Sequence, residues 1–305
     1  MNNEKLFLAS EISELESLLA HLPENHVIER MSLKSRLESV RESLAAMPAQ
    51  TAQKARLTFR GKPVFGSHGI SMDFASKASG LFSSAFSAIL AELKGEDLQD
   101  MGPIPDKDKN QLLLTGTALG SFSFEFELPT EESSLFPGTE APKAMEKIET
   151  LFRLAAQGSD DEIAEVIEEV HPRAVRNVYA FLELLVQQQA WCALDFEERS
   201  FRFTDHAQIK MSSERLKADN IQESDITYQG EFQGILPTSR TFEFRLSDKD
   251  VLKGKIGKNI TDPDVLNRQW LYKPITIKLS TMQVGQGRPR YTLMNLNDLK
   301  DIPLR

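Results

Sequence analysis

Five strand-like runs crowd into the last quarter of the 305-residue chain, and they constrain its fold more than any other feature. Tyr228 to Leu236, Thr241 to Leu246, Val251 to Ile256, Ile275 to Gln283 and Arg290 to Leu296 are separated by Gly234, Pro237, Ser247 to Asp250, Gly254, Gly257 and Gly285 to Gly287. Phe242 and Phe244 alternate with Glu243 and Arg245, and Ile275, Ile277 and Leu279 with Thr276, Lys278 and Ser280, so each strand has one inward and one outward face. A barrel closes the edges of such strands and displays their loops. The expectation is a small five-stranded β-barrel, oligonucleotide-binding-like or SH3-like, starting near residue 226.

Upstream the texture is mixed. Residues 4–47 predict a helical hairpin: Ile12, Leu15, Leu19 and Leu22, then Leu33, Leu37, Val40 and Leu44, recur at helical spacing on either side of Pro23, with Ser32 as a candidate cap for the second helix. Leu57 and Phe59 alternate with Thr58 and Arg60 as in a half-buried strand, and the turn Gly66-Ser67-His68-Gly69 leads into a long helix over Met72 to Leu93. Leu112 to Thr115 and Phe122 to Leu128 read as a hairpin around Gly116 to Gly120, with Phe122, Phe124, Phe126 and Leu128 all on one face. Pro129 to Pro142 is a linker by composition. Three helices are expected after it: Met145 to Ala156, Asp160 to Val170 capped by Ser159, and Ala174 to Leu194, the last carrying Trp191 and Cys192. Arg199 to Phe203 reads as a strand and Met211 to Leu216 as a short helix.

The expected class is therefore α+β and multidomain. Its parts are a helical hairpin (1–50), a small β-α-β-β unit (51–130), a helical segment (143–195) and a basic β-rich domain (196–305) that ends in the barrel. No 20 to 50 residue repeat is visible.

Charge divides along the same line. The formal charge is −9, yet residues 201–305 hold 17 Lys and Arg against 13 Asp and Glu, while residues 1–200 hold 19 against 32. A modestly basic unit hangs on an acidic body, which suits a nucleic acid or an acidic protein as partner of the C-terminal unit. Arg240, Arg245, Lys253, Lys255, Lys258, Lys273, Lys278, Arg288 and Arg290 are interleaved there with Phe242, Phe244, Trp270, Tyr272 and Tyr291, cations for phosphate and aromatic faces for stacking. The opposite reading makes Phe242 and Phe244 core and the cations protection for strand edges. Asp160 to Glu169 forms a strongly acidic helix, either a solvated face or a docking surface.

Catalytic patterns are absent from the sequence. His21, His26, His68, His171 and His206 never stand three or four residues apart, and Cys192 sits beside Trp191, Ala193 and Leu194, so no metal site is expected and the thiol reads as buried. Gly66 to Gly69 lacks the Lys-Ser/Thr ending of a phosphate loop. Asp73, Glu92 and Lys94 imitate a metal-nuclease set, but a continuous helix would hold the two acids about 28 Å apart unless it broke at Gly80. No catalytic residue and no cofactor is expected. A single cysteine and the lack of a long apolar run or leader point to a cytoplasmic chain outside the membrane.

In general outline the combination of helical hairpin, α+β unit and basic barrel resembles accessory proteins of bacterial mobile or defence gene clusters, without a motif that carries a mechanism across. The leading expectation is a non-enzymatic adaptor or regulator whose helical and α+β parts bind protein while the barrel contacts nucleic acid or an acidic partner. The rivals are a hydrolytic or nucleolytic enzyme with dispersed catalytic residues and a structural subunit that dimerises through residues 4–47.

Overall fold

The computed structural model describes residues 2–23, 26–46, 53–66, 68–118, 122–130 and 139–302. Residues 131–138 of the expected linker Pro129 to Pro142, the tip of the hairpin near Gly120 and Ser67 lie outside these residues, while Glu140 to Pro142, expected as linker, open a helix.

Helices α1 (Asn2–His21) and α2 (Val27–Ala46) form the expected hairpin. Leu15, Leu37 and Val40 are buried between them, with Leu8, Ile12, Leu19 and Leu33 packed alongside. Arg36 pairs with Glu11 at 2.7 Å and Arg41 with Glu16 at 2.6 Å, one bridge on each flank of the seam. Ser32 does not cap the second helix: α2 begins at Val27, and Arg30 in its first turns reaches back to the Leu19 and Leu22 carbonyls that end α1.

The body follows, with β1 (Lys54–Gly61), the short pair β2 (Val64–Phe65) and β3 (Gly69–Ile70), α3 (Met72–Leu93), β4 (Leu113–Ala118) and β5 (Ser123–Glu127). Next come α4 (Glu140–Gln157), α5 (Asp160–Glu168), α6 (Pro172–Gln187), β6 (Ala190–Phe196), β7 (Arg199–Arg202) and α7 (His206–Leu216). The strands make one antiparallel sheet in the order β4-β5-β1-β6-β7. Segments 51–130 and 143–195 therefore share a sheet and a core rather than packing apart. Leu57, Phe59, Phe124, Phe126, Cys192 and Leu194 point inward against α3, α4 and α6. Phenylalanine rings fill the layer between sheet and helices, Phe59 meeting Phe74 edge-on at 5.3 Å and Phe152 stacking on Phe181 at 5.7 Å.

The end of the third expected helix changes. The helix expected to reach Leu194 stops at Gln187, Gln189 takes a left-handed φ of 51°, and Ala190 to Phe196 becomes a strand because it pairs along the whole of β1, Phe59 opposite Cys192 and Leu57 opposite Leu194. Helix α3 runs unbroken through Gly80, so Asp73 and Glu92 stay at opposite ends. Ser159 does cap α5, in a capping box with Glu162, and His171 caps α6 ahead of Pro172.

The barrel comprises β8 (Ile221–Leu236), β9 (Thr241–Leu246), β10 (Val251–Ile256), α8 (Asp264–Trp270), β11 (Ile275–Val284) and β12 (Arg290–Leu293), with β13 (Leu299–Asp301) added on β11. Its strands follow β8-β9-β10-β12-β11 and close back onto β8, and the β10 to β12 contact is parallel, Gly254 opposite Tyr291. With a helix between the third and fourth strands, this is the oligonucleotide-binding arrangement rather than the SH3-like one. Phe232 sits at its centre, 5.4 Å from Phe242 and 5.2 Å from Phe244, both edge-on. Strands β8 and β11 overrun the barrel as a ribbon from Gly230–Ile275 to Ile221–Val284, and its far end enters the core of the body, where Val284 is fully buried. The barrel is thus mounted on the body by its own longest strands. Among the described residues no helix is long and apolar enough to cross a membrane.

Candidate nucleic-acid interface

The β11–β12 loop and the outer faces of β9 and β10 meet the C-terminal end of α5, enclosing a groove of about 600 Å³. It is lined by Gly234, Leu236 and Phe242, by Lys253, Gly254 and Lys255, by Arg290 and Tyr291, and by Glu168. The glycines follow from this geometry. A Cβ at Gly254 would lie 2.7 Å from Phe242 Cε1 and 2.9 Å from the Tyr291 carbonyl, whereas one at Gly234 would meet nothing within 4 Å. Leu236, 64% exposed, and the half-buried Tyr291 give the groove an apolar wall. Tyr291 packs edge-on against Tyr228 at 5.9 Å, and burial, helped by a hydrogen bond with Tyr291, pushes the Tyr228 hydroxyl up to about 12.

Charge in the groove is set by α5. Glu168, its side chain 11% exposed, accepts from Lys255 at 2.8 Å and from Arg290 at 3.2 Å. The Arg290 guanidinium also reaches the Asp161 carbonyl at 3.2 Å. At the start of the same helix the Gln286 amide donates to Asp160 at 3.0 Å and the Arg288 amide to Asp161 at 2.7 Å. Arg215 beside Asp160, with that Gln286 amide, holds the Asp160 carboxyl below its usual range. Gly285, at a left-handed φ of 54°, and Gly287 leave room at this contact: a Cβ on the first would lie 2.5 Å from the Asp160 carboxylate and on the second 2.9 Å from that of Asp161. The acidic helix is therefore a docking surface, and its occupant is the barrel of the same chain.

The cationic and aromatic residues singled out in the sequence separate into groups. Lys253, Lys255 and Arg290 line the groove. Arg245 is on the outer face of β9, paired with Glu231, and Lys253 is paired with Glu243 at 2.9 Å. Lys278 pairs with Asp225 on the β11–β8 ribbon, away from the groove, and Lys258 stands 3.6 Å from Glu92 at the end of α3. Arg288 is 92% exposed beside Asp161. Arg240 is structural: at a φ of 53°, its guanidinium donates to the carbonyls of Ile256, Gly257 and Ile260. Trp270 is half-buried against the barrel core. Tyr272, with a φ of 58° and 63% exposed, and the exposed Lys273 lie beyond α8, and Lys273 makes no ion pair among the described residues. Exposed pairs such as Lys253–Glu243 contribute little and exchange readily, so Lys253, Lys258 and Arg288 remain available to an anion, while Lys255, Arg290 and Arg240 are committed.

Glu168, the open backbone at Gly234 and the crowded glycine at Gly254 were not legible as site residues. Their signal was the opposite charge of the 160–169 run and the last strands, which pairs two segments without saying which atoms meet. Among the described residues no group of three or more His, Cys, Asp or Glu could hold a metal ion, and burial pushes the Cys192 thiol far up.

No family model and no curated protein matches the chain. Among solved structures, that of a mutant of the ferredoxin protease FusC in complex with Arabidopsis ferredoxin aligns over 73% of this chain and 34% of that chain, at 8% identity and a TM-score of 0.14, too low to carry fold or activity across.

Proposed function

We propose that this chain is a non-enzymatic, cytoplasmic adaptor whose C-terminal barrel holds a single-stranded nucleic acid in the groove over β9 and β10, while the body and the hairpin mount it on protein partners. The observation that supports this reading is the position of the groove: it opens on the second and third strands beside the β11–β12 loop, where barrels of this strand order take oligonucleotides. Lys253 and Arg288 offer charge to the phosphates, and Leu236 and Tyr291 offer apolar surface to a base.

The test is fluorescence anisotropy of the full chain with labelled single-stranded DNA and RNA across a salt series. Binding that weakens steeply with salt is expected, with Lys253→Gln lowering the salt slope by about one. Absence of binding at low salt removes the reading.

A second reading rests on the α5 contact, in which the barrel edge takes protein carboxylates through Lys255, Arg290 and two loop amides. On that reading an acidic peptide such as polyglutamate binds and the oligonucleotide does not.

A further inference from the structure

The outer face of the body sheet carries a second constellation, away from the barrel. Helices cover one side of the β4-β5-β1-β6-β7 sheet, and the residues that alternate with the core on β1, β6 and β7 face away from them. At the Gly61 end, Arg60 lies directly across from Trp191, and Arg202 lies across from Ala193, two residues further along β6. Arg60 and Arg202 are exposed, and neither makes an ion pair among the described residues. Lys62, also exposed, follows at the end of β1. Trp191 is half-exposed between the arginines.

The residues beside Trp191 are small, and Ser123 and Ala193 are buried beneath their neighbours' side chains. Thr58, Ser123 and Ala193 hold the centre of the face, with Thr58 Oγ1 and Ser123 Oγ 2.8 Å apart. Carboxylates are kept at the other end, Glu125 paired with Arg56 at 2.8 Å, Glu127 with Lys54 at 3.3 Å, and Asp195 bonded by Ser200. The cationic end of the sheet is thus the end that carries the aromatic ring. A helix over Ala174 to Leu194 would have hidden this arrangement, since it arises from the strand alternation of β6 and its register with β1.

We propose that this end of the sheet binds a single-stranded nucleic acid, with a base stacked on Trp191 and its flanking phosphates held by Arg60 and Arg202. Charge complementarity selects the occupant: two exposed arginines without carboxylate partners flank a partly exposed indole that also packs on the body core, and together they match an unstacked base and its backbone. The site is separate from the barrel groove and stands or falls independently of it.

The experiment reads tryptophan emission of the full chain during titration with unlabelled oligodeoxythymidylate, in parallel with anisotropy of a labelled copy. Emission is expected to be quenched on binding, and the quenching to vanish in Trp191→Leu but persist in Lys253→Gln. Arg60→Gln with Arg202→Gln is expected to weaken the quenching isotherm about tenfold or more and to flatten its salt dependence. A melting scan of each variant guards against loss of fold, and Trp191→Phe, which keeps a stacking face, retains affinity. Binding seen by anisotropy without quenching, or quenching unchanged in the double arginine variant, overturns the sheet site and leaves the barrel reading intact. Quenching that survives while Lys253→Gln leaves anisotropy unaltered supports the sheet site and counts against the groove.

Discussion

Arg290 on the barrel and Glu168 on the body meet at 3.2 Å, and Lys255 shares the same carboxylate oxygen at 2.8 Å. This three-residue contact joins the basic and acidic parts of the chain at the mouth of the groove.

Removing the carboxylate leaves two cations facing each other across a partly covered site. Glu168→Gln is expected to destabilise the fold by about 1–3 kcal/mol, less than a fully buried pair would cost because Lys255 keeps much of its solvent contact. Urea unfolding checks the magnitude, and limited proteolysis of the β11–β12 loop checks that the loosening is at the joint.

Gly254 and Gly234 both line the groove but answer to different constraints. Gly254→Ala pushes a methyl group into the Phe242 ring and the Tyr291 carbonyl, and a loss of about 1–3 kcal/mol is expected. Gly234→Ala meets open space and is expected to change stability by no more than about 0.5 kcal/mol. Chemical denaturation of the two variants side by side separates crowding from a general intolerance of the barrel to substitution.

Arg240 belongs with the scaffold. Its guanidinium satisfies three carbonyls around the β10–α8 loop, so Arg240→Ala is expected to cost about 1.5–3 kcal/mol. At temperatures where the variant is folded, nucleic-acid affinity is expected to fall less than in Lys253→Gln. The comparison is made by anisotropy after a melting scan.

Cys192 is buried against the sheet core, and burial alone raises its pKa. In the unfolded chain the thiol ionises near pH 8.5, while in the folded chain it keeps its proton, so folded protein binds more protons and stability falls as pH rises above about 8.5. Cys192→Ala is expected to remove that part of the alkaline slope. A thiol reagent is expected to label the native protein only as fast as it opens and the denatured protein at once.

Much of the architecture was readable because its signals are local. Phe122 to Leu128 alternates strictly, the heptad-like leucines of residues 12–44 keep helical spacing, and Ser159 with Glu162 announces the start of α5. The stretch Ala190 to Phe196 was not readable in this way. Its apolar run continues the pattern of α6, and periodicity does not separate a buried strand from a buried helix over so few residues.

Local pattern determined which residues turn inward and where the chain bends, since side-chain period and turn chemistry depend on near neighbours alone. It determined the five barrel strands, the hairpin and the acidic run. Only the tertiary structure decided their partners: that β6 pairs with β1 and so sets Trp191 beside Arg60, that β10 closes on β12 in parallel, and that the carboxylates of α5 take Lys255 and Arg290. Pairing between segments far apart in the chain depends on shape and charge matching between surfaces that exist only once both segments have folded.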